Sequence, residues 1–112
     1  MLRRLYRFHG YGSLNKVYRS GATLRGGSLS LKYGGRKPGT GYRVAVVVSK
    51  KVHKSAVVRN RIRRRIFEAI RHYAQDQTLA SDLVFTVFDD RVAAMPSDQL
   101  TADVARLLEK AH

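Results

Sequence analysis

Arg59, Asn60, Arg61, Arg63, Arg64 and Arg65 stand within one short stretch, and their side chains suit one kind of chemistry, the holding of a polyanion. A guanidinium fork donates two parallel hydrogen bonds to a phosphate and stacks flat on a base, which an ammonium cannot do. Asn60 in their midst offers both a donor and an acceptor to a base edge or a ribose hydroxyl. A helix that merely faced water would mix glutamates among the arginines at i, i+4, because such pairs stabilise and like charges repel. Glu68 is the one acid at hand. Between and beyond the arginines, Val58, Ile62, Ile66, Ala69, Ile70 and Tyr73 follow the i, i+3, i+4 pattern of a buried helix face. The basic groups therefore wrap the other three sides.

No catalytic constellation accompanies them. His9, His53, His72 and His112 are dispersed without the spacing of metal ligands. Asp89-Asp90 is a pair that Mg²⁺ could use with phosphates, although two aspartates at a strand end more often make a turn. Ser49 has no evident His and Asp partners for a nucleophilic triad. Phe67 falls on the polar side of the helix beside Asn60 and Arg63, where it either stacks on a nucleotide or borders the core; Tyr18 and Tyr33 pose the same choice.

The elements that must position these groups can be placed from period and punctuation. Ser13 is a candidate cap for a short helix carrying Leu14, Val17 and Tyr18 and stopping at Gly21. Ala22 to Arg25 reads as a short strand, Gly26-Gly27 as a bend, and Ser28 to Tyr33 as a strand with Leu29, Leu31 and Tyr33 inward. A glycine-rich connection leads to Tyr42 to Ser49, a run so uniformly apolar that it reads as a central strand covered on both faces. Lys50 to Lys54 form a basic loop, Ser55 caps the arginine helix, and that helix runs to Tyr73 or Ala74. Gln75 to Ser81 turns back, Asp82 to Phe88 makes a second buried strand, and Ser97 caps a terminal helix through Leu100, Val104, Leu107 and Leu108. The order α-β-β-β-α-β-α implies an α/β sandwich, with helices on at least one face of a sheet.

Composition bounds the class of protein. A chain of 112 residues with 44% apolar content reads as one domain, residues 1–112, able to bury a core without metal or disulfide. The absence of cysteine excludes disulfides and thiolate metal sites, and permits a reducing compartment. Residues 1–12 are a basic arm with no apolar stretch behind them, so they do not read as a targeting signal. The longest apolar run, Val44 to Val48, is far too short to span a bilayer, and a soluble, cytoplasmic protein without membrane partners is expected. The net charge of +14 is lopsided: residues 1–72 hold 19 bases and one acid, residues 73–112 hold 3 bases and 7 acids. Such self-repulsion implies a polyanionic partner, and nucleic acid suits it better than a membrane surface, which would want a broad exposed apolar face. On residues alone, a stable RNA-assembly protein and an independent nuclease using Asp89, Asp90 or a histidine also stay open.

Val44-Ala45-Val46-Val47-Val48-Ser49-Lys50-Lys51 followed by Ala56-Val57-Val58-Arg59-Asn60-Arg61-Ile62-Arg63-Arg64 resembles the protein subunit of bacterial ribonuclease P. Leu14 to Gly21 is similar to that family's first helix, and the resemblance covers essentially the whole chain. It implies a four-stranded sheet with a left-handed β-α-β crossover, against the usual right-handed rule. It also implies a small basic protein that binds a catalytic RNA and the 5′ leader of precursor tRNA, and so assists endonucleolytic removal of the leader. The chemistry then belongs to the RNA subunit and its Mg²⁺ ions, and the protein needs neither a metal site of its own nor an obligate protein partner. By the same resemblance Lys50, Arg59, Asn60, Arg61, Arg63, Arg64 and Arg65 face the RNA subunit. Leu14, Tyr18, Tyr33, Val46, Val48, Lys51, Arg59 and Phe67 line or flank a leader cleft between the sheet and the arginine helix. Three departures stand out: Leu14 is where the family typically has Phe, Phe67 is where it usually has Lys or Arg, and the Lys50 to Ser55 turn is about one residue longer.

Overall fold

A computed structural model describes residues 22–35, 42–74 and 81–111. In chain order they form β1 (Ala22–Arg25), β2 (Leu29–Gly35), β3 (Arg43–Val47), α1 (Ala56–Ala74), β4 (Ser81–Val87), a 3₁₀ turn (Asp90–Ala93) and α2 (Ser97–Lys110). The helix expected at Leu14 to Gly21 and the basic arm lie outside the described residues. The four strands make one sheet in the order β1-β2-β4-β3. β1 with β2 and β2 with β4 are antiparallel, whereas β3 and β4 are parallel, so the chain crosses between them through α1. This is the four-stranded α/β arrangement that the sequence implies.

Register decides which side chains meet. Leu31 is opposite Phe85, which is opposite Val46; Tyr33 is opposite Leu83, which is opposite Val44. Side chains alternate across a strand, so these residues share one face. α1 and α2 cover that face together: Ile62, Ile66 and Ile70 from one helix and Leu100, Val104, Leu107 and Leu108 from the other join the strands in a single core. α1 packs against β3, α2 and the 3₁₀ turn, while α2 reaches β1 and β2.

The position of β3 corrects the sequence reading. Its continuous apolar run suggests a central strand, yet it forms an edge, and β4 is the strand paired on both sides. Val44 and Val46 are buried, but Arg43, Ala45 and Val47 between them are half-buried. An apolar run reports affinity for a covered surface; it does not say which neighbour supplies the cover. β4 is the better-buried strand, from Asp82 through Phe85 without a break.

The ends follow local rules in most places. Ser55 caps α1: its hydroxyl accepts from the Val58 amide at 3.4 Å, and its carbonyl accepts from Arg59 at 3.1 Å. The bend between β1 and β2 closes with the Gly26 amide donating to Leu29 O at 2.8 Å. At α2 the cap is Pro96, not Ser97; Pro96 makes no side-chain cap bond, its carbonyl accepts from Leu100 at 3.0 Å, and Ser97 is the first helical residue. A β/polyproline backbone at Pro96, with ψ 139°, is what starts the helix there.

Candidate nucleic-acid interface

Packing rather than propensity holds α1 together. Its repeated like charges, such as Arg59 with Arg63 and Arg61 with Arg65, cost about 0.2–0.5 kcal/mol each at i, i+4. Full burial of Ile62, Ile66 and Ile70 contributes about 1.5–3 kcal/mol apiece, and so outweighs the repulsion. The helix can therefore carry charge that would melt it in isolation.

Tertiary packing also narrows where that charge points. The sequence places basic groups on three sides of α1, but two of those sides are turned to the protein. On the β3 side, the Arg63 guanidinium donates to Asn60 Oδ1 at 2.7 Å and to Val48 O at 3.3 Å. Arg59 donates to the carbonyls of His53 and Lys54 at 3.0 and 2.9 Å, and stitches the basic turn to the helix. On the α2 side, Arg65 donates to the carbonyls of Val92 and Met95, bridging α1 to the 3₁₀ turn and its exit. Asn60, Arg61 and Arg64 remain exposed on the outer side. Arg63 engages the Asn60 carbonyl oxygen, and the amide N–H groups of this exposed residue remain available as donors.

The turn before α1 adds to this surface. Lys50, Lys51 and Lys54 are exposed, and no acid stands in the first turn of α1, so the positive end of the helix dipole is uncompensated. The Ser55 amide donates to His53 Nδ1 at 3.0 Å, which keeps the turn closed against the helix. Further along, α1 and α2 bound a groove of about 460 Å³ whose lining includes Arg64, Arg71, His72 and Thr101. Arg71 is paired there with Glu68 at 2.8 Å, and its hydrogen bond is the largest cause holding the Glu68 carboxyl down to about 2. Among the described residues Arg64 has no such acid.

Of the residues assigned by resemblance to a leader cleft, the described ones on the sheet and in the middle of α1 do not lie on an open surface. Val46, Val48 and Phe67 are all less than 10% exposed and belong to the core, and Tyr33 packs against it half-buried. Sheet and α1 meet through these side chains, so the space between them is filled. Period-two alternation is the reason: Tyr33 and Val46 share the face covered by α1 and α2, and the opposite face carries Lys32, Arg43, Ala45, Val47 and Thr86 with the buried Ser30, Asp82 and Val84. Phe67 settles as a core residue because the buried arc of α1 extends past Ile70 toward the sheet, beyond the stripe that spacing alone selects. Lys51 and Arg59 lie at the turn, and Leu14 and Tyr18 lie outside the described residues.

Asp89 has a structural task. Its carboxylate accepts from the Arg91 amide at 2.9 Å and pairs with the Arg91 side chain at 3.0 Å, capping the 3₁₀ turn. Sequence reasoning missed two pairs. Arg43 and Asp82 sit opposite each other on β3 and β4 and form a two-pronged ion pair, both contacts 2.9 Å. Arg25 lies over the Phe88 ring, 4.9 Å from its centroid. Both depend on strand neighbours remote in sequence, which periodicity does not report. Among the described residues, no helix is long and apolar enough to cross a membrane.

A model of the Ribonuclease P family matches residues 2–112. A ribonuclease P protein component of Chloroflexus aggregans is 34% identical over 111 residues, 98% of this chain and 80% of that protein. One from a Pseudanabaena species is 39% identical over 97 residues, 86% of this chain and 82% of its own length. In structure, the RNase P protein of Staphylococcus aureus superposes with a TM-score of 0.78 at 23% identity, covering 95% of this chain and 94% of that one. The Thermotoga maritima RNase P protein does so with 0.78 at 17% identity, covering 93% and 96%.

Proposed function

The chain belongs to the ribonuclease P protein family, and from that premise we propose that it serves as the protein subunit of ribonuclease P, binding the catalytic RNA and the 5′ leader of precursor tRNA. The observation that carries this reading is the outer side of α1 and the turn before it. Asn60, Arg61 and Arg64 on the helix, with Lys50, Lys51 and Lys54 on the turn, are exposed together, and no acid stands in the first turn of the helix. Guanidiniums and ammoniums in such an array neutralise closely spaced phosphates and release their counterions. The Asn60 amide adds a directional donor toward an acceptor on RNA.

In this reading the protein performs no covalent step. Hydrolysis of the leader phosphodiester takes place on the RNA subunit with the Mg²⁺ ions bound mainly by that RNA, and the protein lowers the cost of bringing two polyanions together. Arg59, Arg63 and Arg65 contribute differently from Arg61 and Arg64. The first three hold the turn, β3 and α2 in place around the helix, so that the outward groups keep a fixed spacing against RNA; Arg59 and Arg63 sit close enough to the turn to touch RNA as well. Leader binding falls to Lys51 and Arg59, beside the turn before α1. Such a protein works where tRNA is made and matured, in the cytoplasm.

Reconstitution with a bacterial ribonuclease P RNA tests the reading. Cleavage of precursor tRNA at low Mg²⁺ should rise on adding the protein, and affinity for the RNA should fall by several orders of magnitude on a moderate increase in salt. Unchanged cleavage, or RNA affinity that ignores salt, would refute it.

A further inference from the structure

Among the described residues two large apolar side chains are exposed, Val57 and Phe88. Phe88 is the more telling because it is held in place. It follows the C-terminal end of β4, its amide donates to Ser28 O at 2.9 Å, and the residue is 48% exposed. The Arg25 guanidinium lies over the Phe88 ring at 4.9 Å, and Arg25 is itself exposed. A cation at this distance is attracted by the ring quadrupole, which orders both groups in solvent without neutralising the charge.

The surroundings are basic on both sides. β3 runs parallel to β4, so the Lys50 and Lys51 turn leaves the same end of the sheet as Phe88. On the α2 side, Arg25 shares a small cavity of about 90 Å³ with Arg106 and Lys110. Two of the acids nearby are engaged, Asp89 with Arg91 at 3.0 Å and Asp103 with Arg106 at 3.3 Å, and Asp90 is exposed at the start of the 3₁₀ turn. An exposed aromatic ring layered with an unneutralised guanidinium, between two sources of positive charge, has the composition of a stacking site for single-stranded nucleic acid. Duplex RNA keeps its base faces covered and cannot use it.

We propose that Arg25 and Phe88 form a platform on which one unpaired RNA base stacks, with Arg25, Lys50 and Lys51 available to the phosphates beside it. The inference rests on the RNA-binding reading above and adds a subsite at the β4 end of the sheet. Two sources could supply the base: the leader of the precursor, or an unpaired segment of the RNA subunit.

The test uses full-length protein with Phe88→Leu, which keeps apolar volume but removes the π face, and Phe88→Trp, which keeps it. Since the chain has no tryptophan, Phe88→Trp also introduces a single fluorophore at the platform. Its emission should be quenched by a single-stranded oligoribonucleotide and far less by a duplex of the same sequence. In the assembled enzyme Phe88→Leu should weaken binding by about five- to one-hundred-fold, the range of one lost stacking contact, and Phe88→Trp should restore it. If the base comes from the leader, the loss appears for precursor tRNA and not for tRNA lacking a leader. If it comes from the RNA subunit, the loss appears in protein–RNA subunit affinity. Unchanged affinity in both arms, with Phe88→Leu folded by circular dichroism, overturns the platform. Failure of the unmodified protein to stimulate precursor cleavage would instead sink the functional reading beneath it.

Discussion

Replacing Arg61 and Arg64 together with glutamine should separate the arginines that meet RNA from those that hold the fold. Both are exposed on the outer side of α1, so the double variant should fold normally. If each contacts one phosphate, the pair accounts for about 1.8 of the log–log salt slope, at about 0.9 per contact, and near 0.1 M salt for about 60-fold in affinity. Arg65→Gln is the matched control. Its guanidinium is committed to the carbonyls of Val92 and Met95, and removing it strands two part-buried acceptors, costing about 1–3 kcal/mol of stability. It should leave the salt slope unchanged once the protein is folded. Filter binding to the RNA subunit between 50 and about 300 mM salt, with urea denaturation of each variant, reads both quantities. An equal drop in slope for Arg65→Gln, or an unaltered slope for the double variant, would refute the division of α1 into outward and inward sides.

Other expectations follow from the same geometry. Asp82→Asn breaks the two-pronged contact with Arg43 while leaving Arg43 partly in water, so the loss should be about 1–3 kcal/mol in urea denaturation; no loss would mean the pair is solvated in solution. Phe67→Ala should cost about 3–5 kcal/mol as a core truncation, and a stable variant that has lost RNA affinity would return Phe67 to the surface. For Glu68, whose folded carboxyl is lowered from 4.5 to about 2, the Arg71 hydrogen bond is the largest cause. The sign follows from that direction: the contribution to stability is complete above the unfolded value and fades as pH falls from about 4.5 toward 2. Melting temperatures across that window should therefore drop less for Glu68→Gln than for the unmodified protein.

The arginine helix was legible before any coordinates. Its stripe of Ile62, Ile66 and Ile70 is readable from the helical period, its Ser55 cap and its end near Ala74 from neighbours within a few residues, and the structure has all of them. So was the charge imbalance between residues 1–72 and 73–112, which depends on composition alone. The strands were found with ends shifted by a residue or two, since fraying edges and caps depend on neighbours.

What spacing along the chain could not decide was who those neighbours are. An apolar run from Val44 to Val48 is equally compatible with a central strand and an edge; only the crossover through α1 put β4 inside and β3 outside. The same assembly buried Val46, Val48 and Phe67, which the family resemblance assigned to a cleft, and brought Arg43 to Asp82 and Arg25 to Phe88. Hydrophobic period records that a side chain wants cover, through a transfer free energy that is blind to direction. The cover itself is chosen by strand register and helix docking, which couple residues far apart in sequence, and so the arginine pattern of α1 was written locally while the faces it leaves open were settled by the whole fold.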